Sequence, residues 1–431
     1  DSMRMNVTMT VTATHRSVSS ALMILAGLSL TGILTAPASA QWTQWGGPTQ
    51  DWKCDSKGIA DKWPEEGPKK LWVRDLGEGY SGVMVDGGNL YTMYRSDGKA
   101  HVICLKADTG ATVWEFGYEE DPAKDHIHQF GDGPRGTPLI DGDYVYTIGV
   151  RGIMHCLDKK TGKVAWKHDL WEEFNGNFLN HGYSSSAFPY KDTVIVLVGG
   201  EGAGMVAFNK ADGSVAWKKN DFGNSYSTPK LISVDGQEQL LCYMAKALVA
   251  IDPNNGDALW SYEIGNQWGQ NICLPVWNDD DNTLFLSTVE AGSRGLKLTR
   301  QGDKTEVEEI WSTRKIQLYH VTAIGLGDYV YGSSGAGMGR VCFFSCVNRK
   351  TGKIAWRKRG FAKATTVYAD GKFIILDEDG KLALAKATPE EFKVLSEVED
   401  VLEGSAWTVP TVVGKRMFLR DSKKIMALDL G

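Results

Sequence analysis

Two histidines spaced one residue apart are a candidate for metal chemistry. His126 and His128 stand in Asp125-His126-Ile127-His128, ahead of Gly131-Asp132-Gly133-Pro134. On an extended segment alternate side chains share a side, so both imidazoles would face one point. That suits zinc or copper if a third donor such as His181 approaches. No partner spacing accompanies the pair, and a solvated loop is the competing reading. A second set is aromatic and basic. Tyr80, Arg135, Tyr183, Tyr226, His320 and Trp407 recur at similar places along the chain, flanked by His181, Asn224, Gln270 and Asn271. Arg151, Glu201, Arg294 and Arg340 fall in loops expected on the same face. Guanidinium forks bind carboxylates and rings stack on planar molecules, so such a ring of residues would hold an anionic or planar ligand. The preferred reading is that the tyrosines plug a channel and hydrogen-bond one another, because they recur with the repeat. No Gly-x-Ser-x-Gly elbow, His-Glu-x-x-His pair or Walker loop occurs, and no catalytic residue is assigned.

What must position these residues is a repeat. Cys104-Leu-Lys-Ala-Asp-Thr-Gly110 leads to Trp114, and Cys156-Leu-Asp-Lys-Lys-Thr-Gly162 to Trp166. Ala207 to Gly213 leads to Trp217, Ala250 to Gly256 leads to Trp260, and Cys346 to Gly352 leads to Trp356. The glycines are 52, 51, 43 and 96 residues apart; the last interval is two periods, with Trp311 ending a degenerate copy. A period of this size with two-residue apolar alternation predicts propeller blades. A second strand precedes each motif, beginning at Asn89, Tyr144, Val194, Leu240, Leu284, Tyr329, Phe373 and Met417. Eight such strands predict eight blades.

The ends predict closure. The chain stops at Gly431, where an outermost strand is due, and the unmatched Lys69-Lys-Leu-Trp72-Val73 would supply it. That pairing removes two open sheet edges. Trp72, Trp114, Trp166, Trp217, Trp260, Trp311 and Trp356 are expected to wedge between neighbouring blades. Cys104, Cys156 and Cys346 share a slot with Ala207 and Ala250, which reads as tight packing rather than redox chemistry. Pro138, Pro229, Pro275 and Pro410 mark first strands, whose inner edge tolerates proline.

Residues 1–40 read as a secretory signal: a basic start at Arg4, His15 and Arg16, an apolar run from Ala21 to Leu34, and an Ala38-Ser39-Ala40 cleavage site. Residues 41–66 form an N-terminal extension and 67–431 a single propeller, so a periplasmic or secreted location without a transmembrane anchor is expected. The net charge of −6, with no basic block, argues against nucleic acid as a partner.

The repeated Ala/Cys-apolar-Asp/Asn-x-x-Thr-Gly-x-x-x-Trp resembles the tryptophan-docking motif of the pyrroloquinoline-quinone (PQQ) repeat, or quinoprotein alcohol dehydrogenase-like, propellers. The likeness covers roughly Gly67 to Gly431 and implies an all-β, eight-bladed propeller of four-stranded antiparallel blades. That family includes calcium- and PQQ-dependent dehydrogenases and non-catalytic members such as the outer-membrane assembly lipoprotein BamB. This chain has no adjacent cysteine pair and no Cys-x-x-Cys-His haem site, which places it nearer the BamB-type members. It also lacks a lipid-attachment cysteine at the cleavage site. The resemblance therefore implies a binding or scaffold module for an envelope protein or a small ligand. Its alternative is an oxidoreductase holding PQQ over a calcium bound by Glu201 or Asn271, with an arginine polarising the quinone. Exposed aromatics leave a glycan-binding module as a third expectation.

Overall fold

The computed structural model describes residues 41–318, 322–334 and 342–431. Eight antiparallel sheets succeed one another along the chain as blades of a propeller. Blades 1 to 7 begin with the short inner strands Met84–Asp86, Leu139–Asp141, Phe188–Tyr190, Lys230–Val234, Val276–Asn278, Ile324–Leu326 and Thr365–Ala369. Blade 8 begins with Thr411–Val413. Pro138, Pro229, Pro275 and Pro410 each stand one residue ahead of an inner strand. Among the described residues, the helical elements are the five-residue Leu170–Phe174 and a 3-10 turn at His128–Phe130. No helix among them is long and apolar enough to cross a membrane.

The second and third strands are buried on both sides because each blade is covered by its neighbours. Val194 to Val198 and Leu382 to Ala385 are all buried, whereas the outer strand Val215–Lys219 is exposed apart from the half-buried Trp217. The turn into the outer strand has a local cause. Asp158 accepts from the backbone N–H of Thr161 at 2.8 Å, and Asn348 does the same for Thr351 at 3.0 Å. Gly162 and Gly352 then turn the chain at φ of 71° and 68°. A register shift follows in all eight third-to-fourth strand pairs, beside the tryptophan where one is present. Each shift is a bulge that re-aims the outer strand.

The bulge sets the indole over the next blade. A Cβ on Gly110 would lie 2.7 Å from the ring of Trp72, and one on Gly162 would lie 2.5 Å from Trp114. Gly213, Gly256 and Gly352 stand in the same relation to Trp166, Trp217 and Trp311. Each of these glycines therefore serves the turn and gives the preceding blade's indole a flat seat. Trp72, Trp114, Trp166, Trp311 and Trp356 also donate their N–H to a backbone carbonyl of the next blade, at 2.6–3.1 Å. Trp260 differs: it donates to Gln239 of its own blade at 2.7 Å while packing with Leu284 and Leu296 of blade 5.

The ring closes as the sequence predicts. Lys69–Asp75 pairs antiparallel with Lys424–Asp429, with Trp72 opposite Ala427. One feature adds to the four-stranded plan. Lys53–Cys54 lies parallel to the inner strand of blade 7, Lys53 opposite Tyr368, and makes that sheet five-stranded. The segment before it reaches other inner strands: Trp42 bridges Val85 in blade 1, Ile140 in blade 2 donates to Thr43, and Gln50 donates to Pro229 ahead of blade 4. A segment that touches the inner edges of four blades within thirteen residues runs through the axial channel.

None of the seven cysteines, all described, forms a disulfide. Cys104, Cys156 and Cys346 are buried opposite Tyr91, Tyr146 and Tyr331 of the second strand. At Ala207 and Ala250 the facing residue is aliphatic, Ile195 and Leu241 respectively.

Candidate functional site

The loop from blade 1 to blade 2 is the longest departure from the repeat and carries the His-x-His pair. Glu120 anchors its start. Its carboxylate is buried and accepts the N–H groups of Val150 and Arg151 at 3.1 and 3.2 Å. Burial pushes its pKa up to about 7. The loop then crosses the mouth of the channel, where Ile127 donates to the carbonyl of Asn180 at 2.7 Å and Tyr80 to that of Pro134 at 2.9 Å. The 3-10 turn aims Phe130 at the axis. Its ring centre lies 5.3 Å from that of Trp407 and 5.8 Å from that of His181. Tyr80 packs on the far side of Trp407 at 5.0 Å, and Tyr226 beyond His181 at 6.1 Å. Five rings, four of them ahead of blades 1, 3, 4 and 8, thus cap the channel around Phe130.

Arg135 stands within this cluster. It donates to the carbonyls of Gly131 at 3.0 Å and Gly133 at 3.4 Å, so it braces its own loop. Burial lowers its pKa, opposed by Tyr80 and Tyr226. His181 is held down to about 4 by burial, then by the nearby Arg135 and His126, and is neutral at pH 7. Trp407 donates to Glu378 at 3.2 Å, and Glu378 pairs with Lys363 at 2.7 Å.

The histidine pair converges on a carboxylate. Asp132 lies 2.6 Å from Nδ1 of His128 and 3.7 Å from Nε2 of His126, whose pKa burial lowers. Among the described residues, no three His, Cys, Asp or Glu side chains form a metal-sized set. Tyr80, Arg135, His181, Tyr226 and Trp407 are brought together; other residues of the expected ring are not. Tyr183 is fully buried and donates to the carbonyl of Leu197 inside blade 3. Arg151 pairs with Glu172, and Arg294 with Glu309 in a separate cleft. Gln270 is buried at the start of blade 5. His320 and Arg340, with most of the glycine-rich 332–339 stretch, lie outside the described residues. Sequence reasoning missed Phe130, Glu120 and the channel segment around Gln50, because none of them belongs to the repeat.

A quinone over calcium does not fit these donors. The amide of Asn271 is spent, donating to Met244 O and accepting from Thr288, both at 2.7 Å. Glu201 is exposed on a loop tip.

Fold and site define a PQQ-repeat propeller of eight blades with its axis filled from both ends. The chain belongs to the family described as outer membrane protein assembly factor BamB, whose model matches residues 98–358. The BamB of Yersinia pestis is 22% identical over 58% of this chain, and the match spans 63% of that relative's length. A quinoprotein ethanol dehydrogenase of Pseudomonas aeruginosa is 27% identical over 39% of this chain and 31% of its own. Among solved structures, a quinohemoprotein alcohol dehydrogenase from Pseudomonas putida superposes with a TM-score of 0.61 at 12% identity. That superposition covers 91% of this chain and 80% of the other, and it speaks for the fold alone.

Proposed function

We propose that this protein is a non-catalytic binding propeller of the bacterial envelope, which docks a protein partner on the face around the 121–135 loop. The observation that carries the reading is the capped axis: Phe130 caps one side and Gln50 to Cys54 occupy the channel, so contacts with a protein partner fall to the loops outside. The family likeness to BamB, a protein named for outer-membrane assembly, supports an envelope location and an assembly role. Photocrosslinking tests it. A crosslinking residue at Arg151 or Glu201, on the loop face, is expected to trap a discrete envelope protein, while one at Thr351, on the opposite turns, traps none. Equal labelling at both faces, or none at either, would sink the reading.

The second reading, a quinoprotein oxidoreductase, is favoured by the likeness to the Pseudomonas aeruginosa enzyme. Titration with PQQ and calcium decides it. Stoichiometric uptake with dye-linked alcohol oxidation would establish the enzyme and overturn the first proposal.

A further inference from the structure

The channel segment roofs a cavity of about 140 Å³, walled by blades 4, 5 and 6. Its wall holds a buried lysine. Lys230 is 6% exposed at the start of the blade 4 inner strand. An ammonium carries three N–H donors. Among the described residues the hydrogen-bond acceptor for Lys230 is the carbonyl of Gln50, at 2.6 Å, and no carboxylate lies within ion-pair distance. The cavity's other cations are already paired, Lys53 with Asp51 at 2.7 Å and Arg349 with Asp281 at 2.7 Å; of the lining carboxylates, Asp51 is thus engaged and Asp280 is exposed.

Two more buried donors belong to residues that line the same space. The indole N–H groups of Trp52 and Trp277, whose residues line the cavity, are buried and find no protein acceptor. Buried donors without partners are rare in folded proteins, and several around one cavity define a place for an acceptor. The backbone also bends toward this end. Gln50 and Trp52 are both left-handed, at φ of 53° and 62°, a conformation that non-glycine residues adopt at a cost. That bend brings the Gln50 carbonyl to Lys230 and places Trp52 in the cavity wall.

We propose that this cavity binds a small oxyanion, a short carboxylate or a phosphate-sized tetrahedral anion, on Lys230 and the two indoles. One bound anion would compensate a buried cation and satisfy N–H donors from blade 4, blade 5 and the channel segment together. It would thereby tie residues 50–53 to the propeller wall. The site is too small for a tricyclic quinone, and it stands or falls independently of the docking face above.

The test uses the full chain with inorganic phosphate, sulfate and acetate at constant ionic strength. Calorimetry is expected to give saturable one-site binding for at least one of the three. In spectra of the ¹⁵N-indole-labelled protein, Trp52 and Trp277, assigned through Trp52→Phe and Trp277→Phe, should shift along the same isotherm. Lys230→Met should weaken binding at least tenfold. Should that variant fail to fold, Trp277→Phe serves in its place and should also weaken binding severalfold. No saturable binding, shifts spread evenly over the fifteen tryptophans, or variants that bind like the parent would each overturn the proposal.

Discussion

The guanidinium of Arg420, in the last blade, donates to the carbonyl of Gly79 at 2.8 Å, across 341 residues of chain. The same fork reaches the hydroxyl of Thr92 at 3.0 Å and the carbonyl of Met93 at 2.7 Å in blade 1. Arg420 is fully buried, and burial lowers its pKa to about 10, so it remains charged at neutral pH. The ring is therefore closed twice, by the strand carrying Trp72 and by this cation on backbone oxygens. Arg420→Met would strand several buried carbonyls at about 1–3 kcal/mol each before relaxation. We expect a loss of at least about 3 kcal/mol in urea unfolding, and a smaller loss for Arg420→Lys, which keeps charge but not the fork. An unchanged urea midpoint for Arg420→Met would show that strand pairing alone closes the ring.

The indole seats separate two roles of glycine. Gly162 turns at φ of 71° under Trp114, and Gly142 turns at φ of 57° with nothing within 4 Å of a Cβ. Gly142→Ala should lose only the left-handed preference, about 1–2 kcal/mol. Gly162→Ala must also displace Trp114, adding about 1–3 kcal/mol as overpacking does. Equal melting shifts for the two variants would mean that the indole has room to move.

The thiols should be inert. Burial raises Cys104 and Cys346 to about 11 and Cys156 and Cys273 to about 12, so almost no thiolate exists at pH 8. Iodoacetamide at pH 8 should leave these four unmodified in the native protein and alkylate them in urea, as read by mass spectrometry. Rapid native labelling of any one would show that thiol to be open to solvent.

Glu120 makes stability depend on pH. Its pKa rises from the ordinary 4.5 to about 7 on folding. The unfolded chain therefore releases this proton first. The group's contribution is whole below about pH 4.5 and is lost as pH climbs through 7. The loss amounts to about 3 kcal/mol at 1.36 kcal/mol per pKa unit. Glu120→Gln removes that dependence, so its melting temperature relative to the parent should rise between pH 5 and pH 8. Parallel melting curves over that range would refute the assignment.

Which parts of this molecule were legible follows from what repeats. The Cys104-to-Trp114 spacing, copied five times, encodes turn, bulge and indole seat together, because every blade solves the same packing problem. The count of second strands and the orphan strand at Trp72 then fixed the number of blades and the closure. Gln50 on Pro229 and Phe130 on Trp407 are contacts between unlike segments, made once each. No periodicity announces such contacts, and the sequence around His126 and His128 offered only a metal site or a solvated loop. The expected ring of polar residues was half assembled for the same reason. The alignment placed Tyr183 and Tyr226 alike, yet Tyr183 turns into its own blade, where the Leu197 carbonyl takes its hydroxyl.

His181 reports on the cap. Its pKa of about 4 comes first from burial, then from Arg135 and His126, and Phe130 supplies part of that burial at 5.8 Å. Phe130→Ala would admit water beside the imidazole without moving Arg135 or His126, so the desolvation part should relax while their influence stays. The His181 pKa should climb toward 6.5 and stop short of it. Because the unfolded chain protonates near 6.5, the parent loses stability as pH falls from there toward 4, and the variant should lose less over the same interval. Imidazole proton shifts, assigned through His181→Gln, measure the pKa directly. A value still near 4 in Phe130→Ala would locate the shielding in Arg135 and His126 and leave Phe130 as packing alone. A value at 6.5 would mean that the 121–135 loop leaves with its phenylalanine, taking Arg135 away from the ring and opening the channel mouth.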